Sequence, residues 1–188
     1  MLGCVRIVVV VASQTGRTRR MAEAFVEGAR GVVASADAVE LLDAETAAAA
    51  SLETADAIVL GSGVHMGGVE SAMRAFLERT APLWLQGKLV GRIGAAFVSA
   101  GAGGRGGAEL ALVSLHAALA EHGLLLVTMH NRIEGFGRGG SHFGPLAWTR
   151  PRHGEPGPTE GHLQAAQAFG AYVAQCASRW RRGAPTDD

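Results

Sequence analysis

Two cysteines, Cys4 and Cys176, are all the thiol that this chain of 188 residues carries. They cannot build a disulfide framework or a thiolate metal site. Net charge is missing too: 17 Lys and Arg balance 17 Asp and Glu. A neutral chain lacks the basic surplus that would make nucleic acid or an anionic membrane surface its main partner. Nor does any apolar run approach the ~20 residues of a membrane span. The N-terminal run, Ile7 to Ala12, is far shorter. Arg6 precedes it but no small-residue cleavage site follows, so it reads as a strand and not as a signal peptide. The expectation is a cytoplasmic protein.

Further absences narrow the chemistry. His130, His142, His153 and His162 lie in or beside the C-terminal third without close spacing to Cys or carboxylates. No metal site is expected. No Ser/His/Asp arrangement is legible, so covalent catalysis by the protein is not expected. What the chain does have is apolar residues, 48%, and 27 glycines, many of them where strands turn into helices. That is enough core for one domain, expected over residues 1–182, with 183–188 as a tail.

The organising stretch is Ser13-Gln14-Thr15-Gly16-Arg17-Thr18. It follows the apolar run and precedes a helical pattern. The first amides of a helix have no intrahelical partner, and the helix dipole is positive there. Ser13, Thr15 and Thr18 add hydroxyl donors, and Gly16 permits close backbone approach. The loop lacks the Lys and Gly spacing of a P-loop. It suits a terminal phosphate monoester better than a triphosphate with its metal.

The rest of the chain repeats strand then helix. Strands are expected at about 5–12, 39–42, 57–61, 93–99 and 124–129. Helices are expected at about 17–30, at 43–54 (Ala-rich and weak), across Val69 to Leu77, as a short piece from Pro82, at 107–122 and at 159–181. Asn131 to Pro158, with seven Gly and four Pro, reads as irregular. Thr159-x-x-His162 lacks the acidic half of a capping box. Apolar strands alternating with helices mean a parallel sheet covered on both faces. The expected fold is α/β, a doubly wound five-stranded parallel sheet of order 2-1-3-4-5. Ligands of such sheets sit at the carboxyl ends of the strands, at the switch point between strands 1 and 3. Three loops poor in charge converge there: Ser13 to Thr18, Ser62 to Gly68 and Ser99 to Gly107. An aromatic cofactor bearing a phosphate, of the size of FMN, fits that convergence. Gly101-x-Gly103-x-x-Gly106 spells the dinucleotide fingerprint, but after the wrong strand. It reads instead as a flat wall of main chain for a planar ring, with Ser99 as a donor.

These residues resemble a known family. The Ser13–Thr18 loop is similar to the flavodoxin phosphate loop. Gly61-Ser62-Gly63-Val64-His65-Met66-Gly67, then Met73-Arg74-x-Phe76-Leu77, resembles the second flavin loop of WrbA-type NAD(P)H:quinone oxidoreductases. Leu83-Trp84-x-x-Gly87-Lys88-Leu89-x-Gly91, Ser99-Ala100-Gly101-Ala102-Gly103-Gly104 and His122-Gly123 continue the likeness. The resemblance implies a flavodoxin-like fold and FMN as cofactor. It implies the phosphate on Ser13, Gln14, Thr15, Gly16, Arg17 and Thr18, and the ring against Val64, His65 and Met66. Ser99, Ala100, Gly101, Ala102, Gly103 and Gly104 would hold the ring's polar edge, and His122 would contact the flavin. Trp84 would border the substrate pocket. It further implies NADH or NADPH as donor, a quinone as acceptor, ping-pong two-electron transfer, and a homodimer or homotetramer with subunits meeting near the flavin. At Gly63-Val64-His65-Met66 the chain departs from the family's Pro-Thr-Arg-Phe. A single-electron carrier on the same fold, or a flavin-free binding module, are the two other classes. Carriers are usually strongly acidic and flank the flavin with aromatics, and this chain does neither.

Overall fold

β1 (Ile7–Ala12) is buried along all six residues, and its side chains alternate between two cores. Ile7, Val9 and Val11 pack with Phe25, Phe97 and Phe169, while Val8, Val10 and Ala12 pack with Ile58, Leu60 and Phe76. A strand with a core on each face has no polar side to show, which is why the sequence here runs apolar without alternation. The computed structural model describes residues 5–35, 38–101, 107–150 and 156–183.

After β1 come α1 (Arg17–Arg30), β2 (Val39–Asp43), a 3-10 turn (Ala49–Leu52), β3 (Ala57–His65), β4 (Gly68–Val69), α2 (Ser71–Arg79) and α3 (Ala81–Leu85). The chain continues through β5 (Ile93–Ala100), α4 (Gly107–Glu121), β6 (Leu125–Leu126), α5 (Phe136–Gly139), β7 (Gly140–Ser141), β8 (Gly144–Trp148) and α6 (Glu160–Gly183). β2, β1, β3 and β5 pair in parallel in that order, the first four positions of the expected sheet. β4 and β7 are short antiparallel partners of β3 and β8.

The fifth position departs from expectation. In place of one strand over 124–129, two segments share it. β6 pairs only Ile93 and Gly94, at the start of β5. The chain then leaves the sheet and returns as β8, which pairs Val98, Ser99 and Ala100 at its end. β8 hides in the segment read as irregular because Gly144 and Pro145 open it and Gly and Pro crowd both sides. Those residues read as loop punctuation, yet Leu146 and Ala147 are buried, and Pro145 stands near the start of the strand, opposite Gly140 of β7.

Two other local expectations change. Residues 43–54 form only a 3-10 turn. Asp43 turns the chain back on itself: its carbonyl accepts from the N–H groups of Thr46 (3.2 Å) and Ala47 (2.8 Å), and its Oδ1 from Glu45 N–H (3.0 Å). Such local bonds compete with helix formation. At the head of α6 the missing acid of the capping box is replaced by His162, whose Nδ1 lies 3.1 Å from Thr159 N and 2.8 Å from Thr159 Oγ1. Burial holds the His162 imidazole below its ordinary value, which keeps a lone pair available for this task.

α1 and α6 cover one face of the sheet. Their backbones approach so closely that a Cβ on Gly28 would stand 1.8 Å from Gln167 O, and one on Gly170 2.0 Å from Phe25 O. Only glycine permits that contact. α2, α3 and α4 cover the other face. α6 runs through Gly183, and residues 184–188 of the expected tail lie outside the described part. No helix among the described residues is long and apolar enough to cross a membrane.

Candidate functional site

The carboxyl ends of β1, β3 and β5 open into a cavity of about 230 Å³. Gln14, Thr15, Arg17 and Thr18 line it from the β1–α1 loop, and Gly63, Val64 and His65 from the end of β3. Ser99 and Gly101 close it from β5, and Thr149 and Arg150 from the segment after β8. A second cavity, about 630 Å³, lies on the other side of Gln14 and Glu70, with Ser13, Asp43 and Arg79 in its wall.

One pole of the first cavity is built for an anion. Gly16, the N-cap of α1 at φ 76, has no side chain to cap the helix, and the first turn holds no acidic residue. No carboxylate of the first turn offsets the positive end of the dipole beside Arg17. Of the three hydroxyls expected as donors, two serve the fold. Ser13 Oγ accepts from Arg19 N–H at 3.0 Å. Thr18 Oγ1 lies 2.8 Å from Ser99 Oγ, and both residues are buried. Thr15 stays exposed at the tip of the loop.

The second flavin loop takes a different shape from the one expected. β3 does not end at Gly61 but continues through His65 and turns back as β4, with Val64 opposite Val69. Val64 and His65 face the cavity; Met66, at φ 49, sits fully exposed at the hairpin tip and is not among its lining residues. Its thioether therefore does not border this cavity. Ala100 is buried in β5. Ala102, Gly103 and Gly104 lie outside the described residues.

His122 and Trp84 occupy the opposite end of the sheet. His122 adjoins Gly123, whose carbonyl accepts from Gly91 N–H at 3.0 Å, just before β5 begins. Ser99 is near the end of that eight-residue strand, a separation on the order of 20 Å at ~3.3 Å per residue. Within one chain they cannot line the same ring as Ser99. They share instead a cavity of about 190 Å³ with Thr80 and Glu121. Thr80 Oγ1 donates to Leu77 O (2.6 Å) and lies 2.9 Å from His122 Nε2. The hydroxyl's one proton is spent on Leu77, so His122 Nε2–H donates to it, and Nδ1 is buried without a partner among the described residues. Burial lowers the His122 imidazole below its ordinary value, against a smaller opposing pull from Glu121.

Sequence reasoning missed Glu70, Thr149 and Arg150. Thr149 donates from N–H (2.8 Å) and Oγ1 (3.1 Å) to Ala100 O, which delivers Arg150 to the rim. Nothing in the sequence marks them without β8. Glu70 carries a signal: a single acid after a Gly-rich loop, before a helix. It is 8% exposed, its N–H donates to Ser62 Oγ (2.9 Å) and Gly63 O (3.1 Å), and its Oε2 has no hydrogen-bond partner among the described residues.

A doubly wound sheet of this order with a cleft at its switch point defines the class: an α/β protein of flavodoxin fold. A family model described as Flavodoxin domain matches residues 8–98. The NAD(P)H dehydrogenase (quinone) of Geotalea daltonii is 34% identical over 199 residues, covering 92% of this chain and 96% of that one. The protein of the same name from Syntrophus aciditrophicus is 32% identical over 201 residues, covering 93% and 98%. Among solved structures, the WrbA-like flavodoxin from Agrobacterium tumefaciens superposes with a TM-score of 0.72 at 27% identity, covering 93% of this chain and 98% of that one. The chain belongs to the family of the NAD(P)H dehydrogenases (quinone), the WrbA-type flavodoxin-like oxidoreductases.

Proposed function

We propose that the protein binds FMN in the cavity at the ends of β1, β3 and β5 and transfers electrons from NADH or NADPH to quinones. The observation that carries this reading is the N-terminus of α1, begun by a glycine and free of acidic residues in its first turn, opening onto a cleft at the switch point. An anion such as a phosphate monoester gains from both the amides and the dipole there. The ring would extend past Ser99 toward Val64 and His65, with Gly101 allowing flat contact against main chain. FMN supplies the two-electron chemistry when bound. The chain's own part is to anchor the phosphate, hold the ring between β3 and β5, and keep one face open for a flat substrate. Donor and acceptor then use that face in turn, which gives ping-pong kinetics.

His122 and Trp84 enter this reading through assembly. Trp84, Leu85 and Val90 are exposed at the far end of the sheet. In a homodimer or homotetramer that end would meet the flavin of a neighbouring subunit, which reconciles the family's flavin-contacting His with the separation inside one chain.

The test begins with FMN titration of the purified protein, followed by flavin fluorescence. Stopped-flow mixing with NADH or NADPH should bleach the flavin within seconds, and initial rates with a quinone should give parallel double-reciprocal lines. A protein that takes up no FMN, or whose flavin stays oxidised for minutes with both donors, overturns the reading.

A further inference from the structure

We propose that His65 and Glu70 form a proton-delivering pair at this cavity: His65 gives a proton to the oxygen of the quinone, and Glu70 positions the imidazolium that carries it. The proposal rests on the function proposed above and adds Glu70, and a proton-transferring role for His65, that the resemblance does not supply.

Glu70 is the buried member of the pair. Its residue is 8% exposed, and its Oε2 is shut away from solvent with no hydrogen-bond partner among the described residues. A buried carboxylate oxygen without a donor is costly. The backbone cannot turn away to relieve it, because Glu70 N–H is held by Ser62 Oγ and Gly63 O. Among the described residues, His65 brings a donor toward that oxygen, with Nε2 at 3.6 Å. A shift of a few tenths of an ångström closes that gap to a hydrogen bond. His65 itself is open, its side chain 45% exposed, and lines the cavity. One end of the pair is thus dry and the other wet.

Gly63 makes the pair possible. A Cβ at that position would stand 2.7 Å from Glu70 Oε2 and 3.3 Å from His65 Nε2. The missing side chain is the space in which the two groups meet.

The surrounding charges do not take over the role. Arg17 and Arg150 line the same cavity. Asp43, Glu45 and Arg79 line the cavity on the other side of Glu70. Asp43 is paired with Arg19 at 3.1 Å, and Arg79 is spent on Ala44 O at 2.6 Å. Guanidinium and carboxylate groups keep their charge near neutrality, whereas an imidazole exchanges its proton there.

The step balances. Reduction of a quinone to a hydroquinone takes two electrons and one proton as a hydride equivalent, which originates from NAD(P)H, and one further proton. That further proton leaves His65: its N–H bond breaks as an O–H bond forms on the quinone, and the ring becomes neutral. Water at the exposed face of His65 restores the proton. NAD(P)H is oxidised and the quinone reduced.

The experiment has two arms. In the first, the FMN-loaded protein is reduced with dithionite, so that nicotinamide is not needed, and mixed anaerobically with a benzoquinone from pH 5.5 to 8.5. The wild type should reoxidise more slowly as pH rises. His65→Gln should be about 10²-fold slower at low pH, the size of a lost general acid, and flat with pH. Glu70→Gln should lie between them, with FMN affinity retained. In the second arm, ring 15N NMR of His65 in the flavin-free protein should place a proton on Nε2, and both Glu70→Gln and Gly63→Ala should shift that signal. A wild-type profile flat with pH, a His65→Gln profile that keeps the slope, or unmoved NMR signals overturn the pair. Failure to take up FMN overturns the function and the pair together; uptake with a flat profile overturns the pair alone.

Discussion

Thr18 Oγ1 and Ser99 Oγ lie 2.8 Å apart, both buried. That one bond ties the first turn of α1 to the end of β5, across a sequence separation of 81 residues. It also sets the distance between the anion pole and the far wall of the cavity.

Thr18→Val therefore leaves the Ser99 hydroxyl buried without its partner. The expected loss is about 1–3 kcal/mol of stability, read from urea denaturation, with weaker FMN binding beside it. Thr18→Ser keeps the hydroxyl and should restore both. A Thr18→Val protein as stable as the wild type would show that the bond contributes nothing.

Thr15→Glu tests the anion pole. It sets a carboxylate at the exposed tip of the loop, against the phosphate. FMN binding, followed by quenching of flavin fluorescence, should be abolished, while the folded protein keeps its circular dichroism. Full occupancy in this variant would move the phosphate elsewhere.

The close approach of α1 and α6 predicts a large packing effect. Gly170→Ala drives a methyl against Phe25 O, a backbone atom that cannot rotate away. Overpacking of this kind costs about 1–3 kcal/mol, seen as a lowered midpoint in thermal melts. Gly183→Ala, where a Cβ meets nothing, is the neutral control.

Acid should weaken the protein through two imidazoles that the fold draws partly out of water. Burial lowers His162 and His122 in the fold, so the unfolded chain takes up protons first as pH falls. The stability they give is complete above about pH 6.5, the ordinary histidine value, and drains away as pH drops below it. Melting temperatures from pH 8 to 5 should fall through that window. His162→Gln places an amide oxygen at the capping position, and its melting temperature should fall less, with His122 responsible for what remains.

Trp84→Ala reports on the far end of the sheet. It should raise the KM for quinone several-fold and leave flavin content unchanged, and sedimentation should show a lighter assembly. Unchanged KM and unchanged mass would separate Trp84 from substrate and interface alike.

Local signals in the sequence were enough for four strands and five helices, because each is a period of apolar residues with a terminator. Gly123 at φ 77 ends α4 as its position foretold. The fifth strand position was illegible because pairing at an edge needs only a few residues and its two halves are separated by 17 residues, from 127 to 143. The phosphate loop was legible as a motif; which of its hydroxyls are free was not, since Thr18 finds its partner in Ser99 only after the sheet has formed. Glu70 was overlooked for the same reason. Its isolation is a property of the hairpin that buries it, and of Gly63 giving it room.

The divided edge has a consequence for how this scaffold changes over time. β6 and β8 hold separate parts of β5, and the excursion between them begins and ends on the surface of the sheet. Residues can be added to or removed from that excursion without shifting the register of either segment, since closing a longer loop costs little. Thr149 and Arg150 follow β8 directly and are held to the end of β5 through Ala100 O, so the rim keeps its place when the excursion changes length. Such changes fall on the exposed stretches of the excursion, because its Met129 and Ile133 are themselves part of the core.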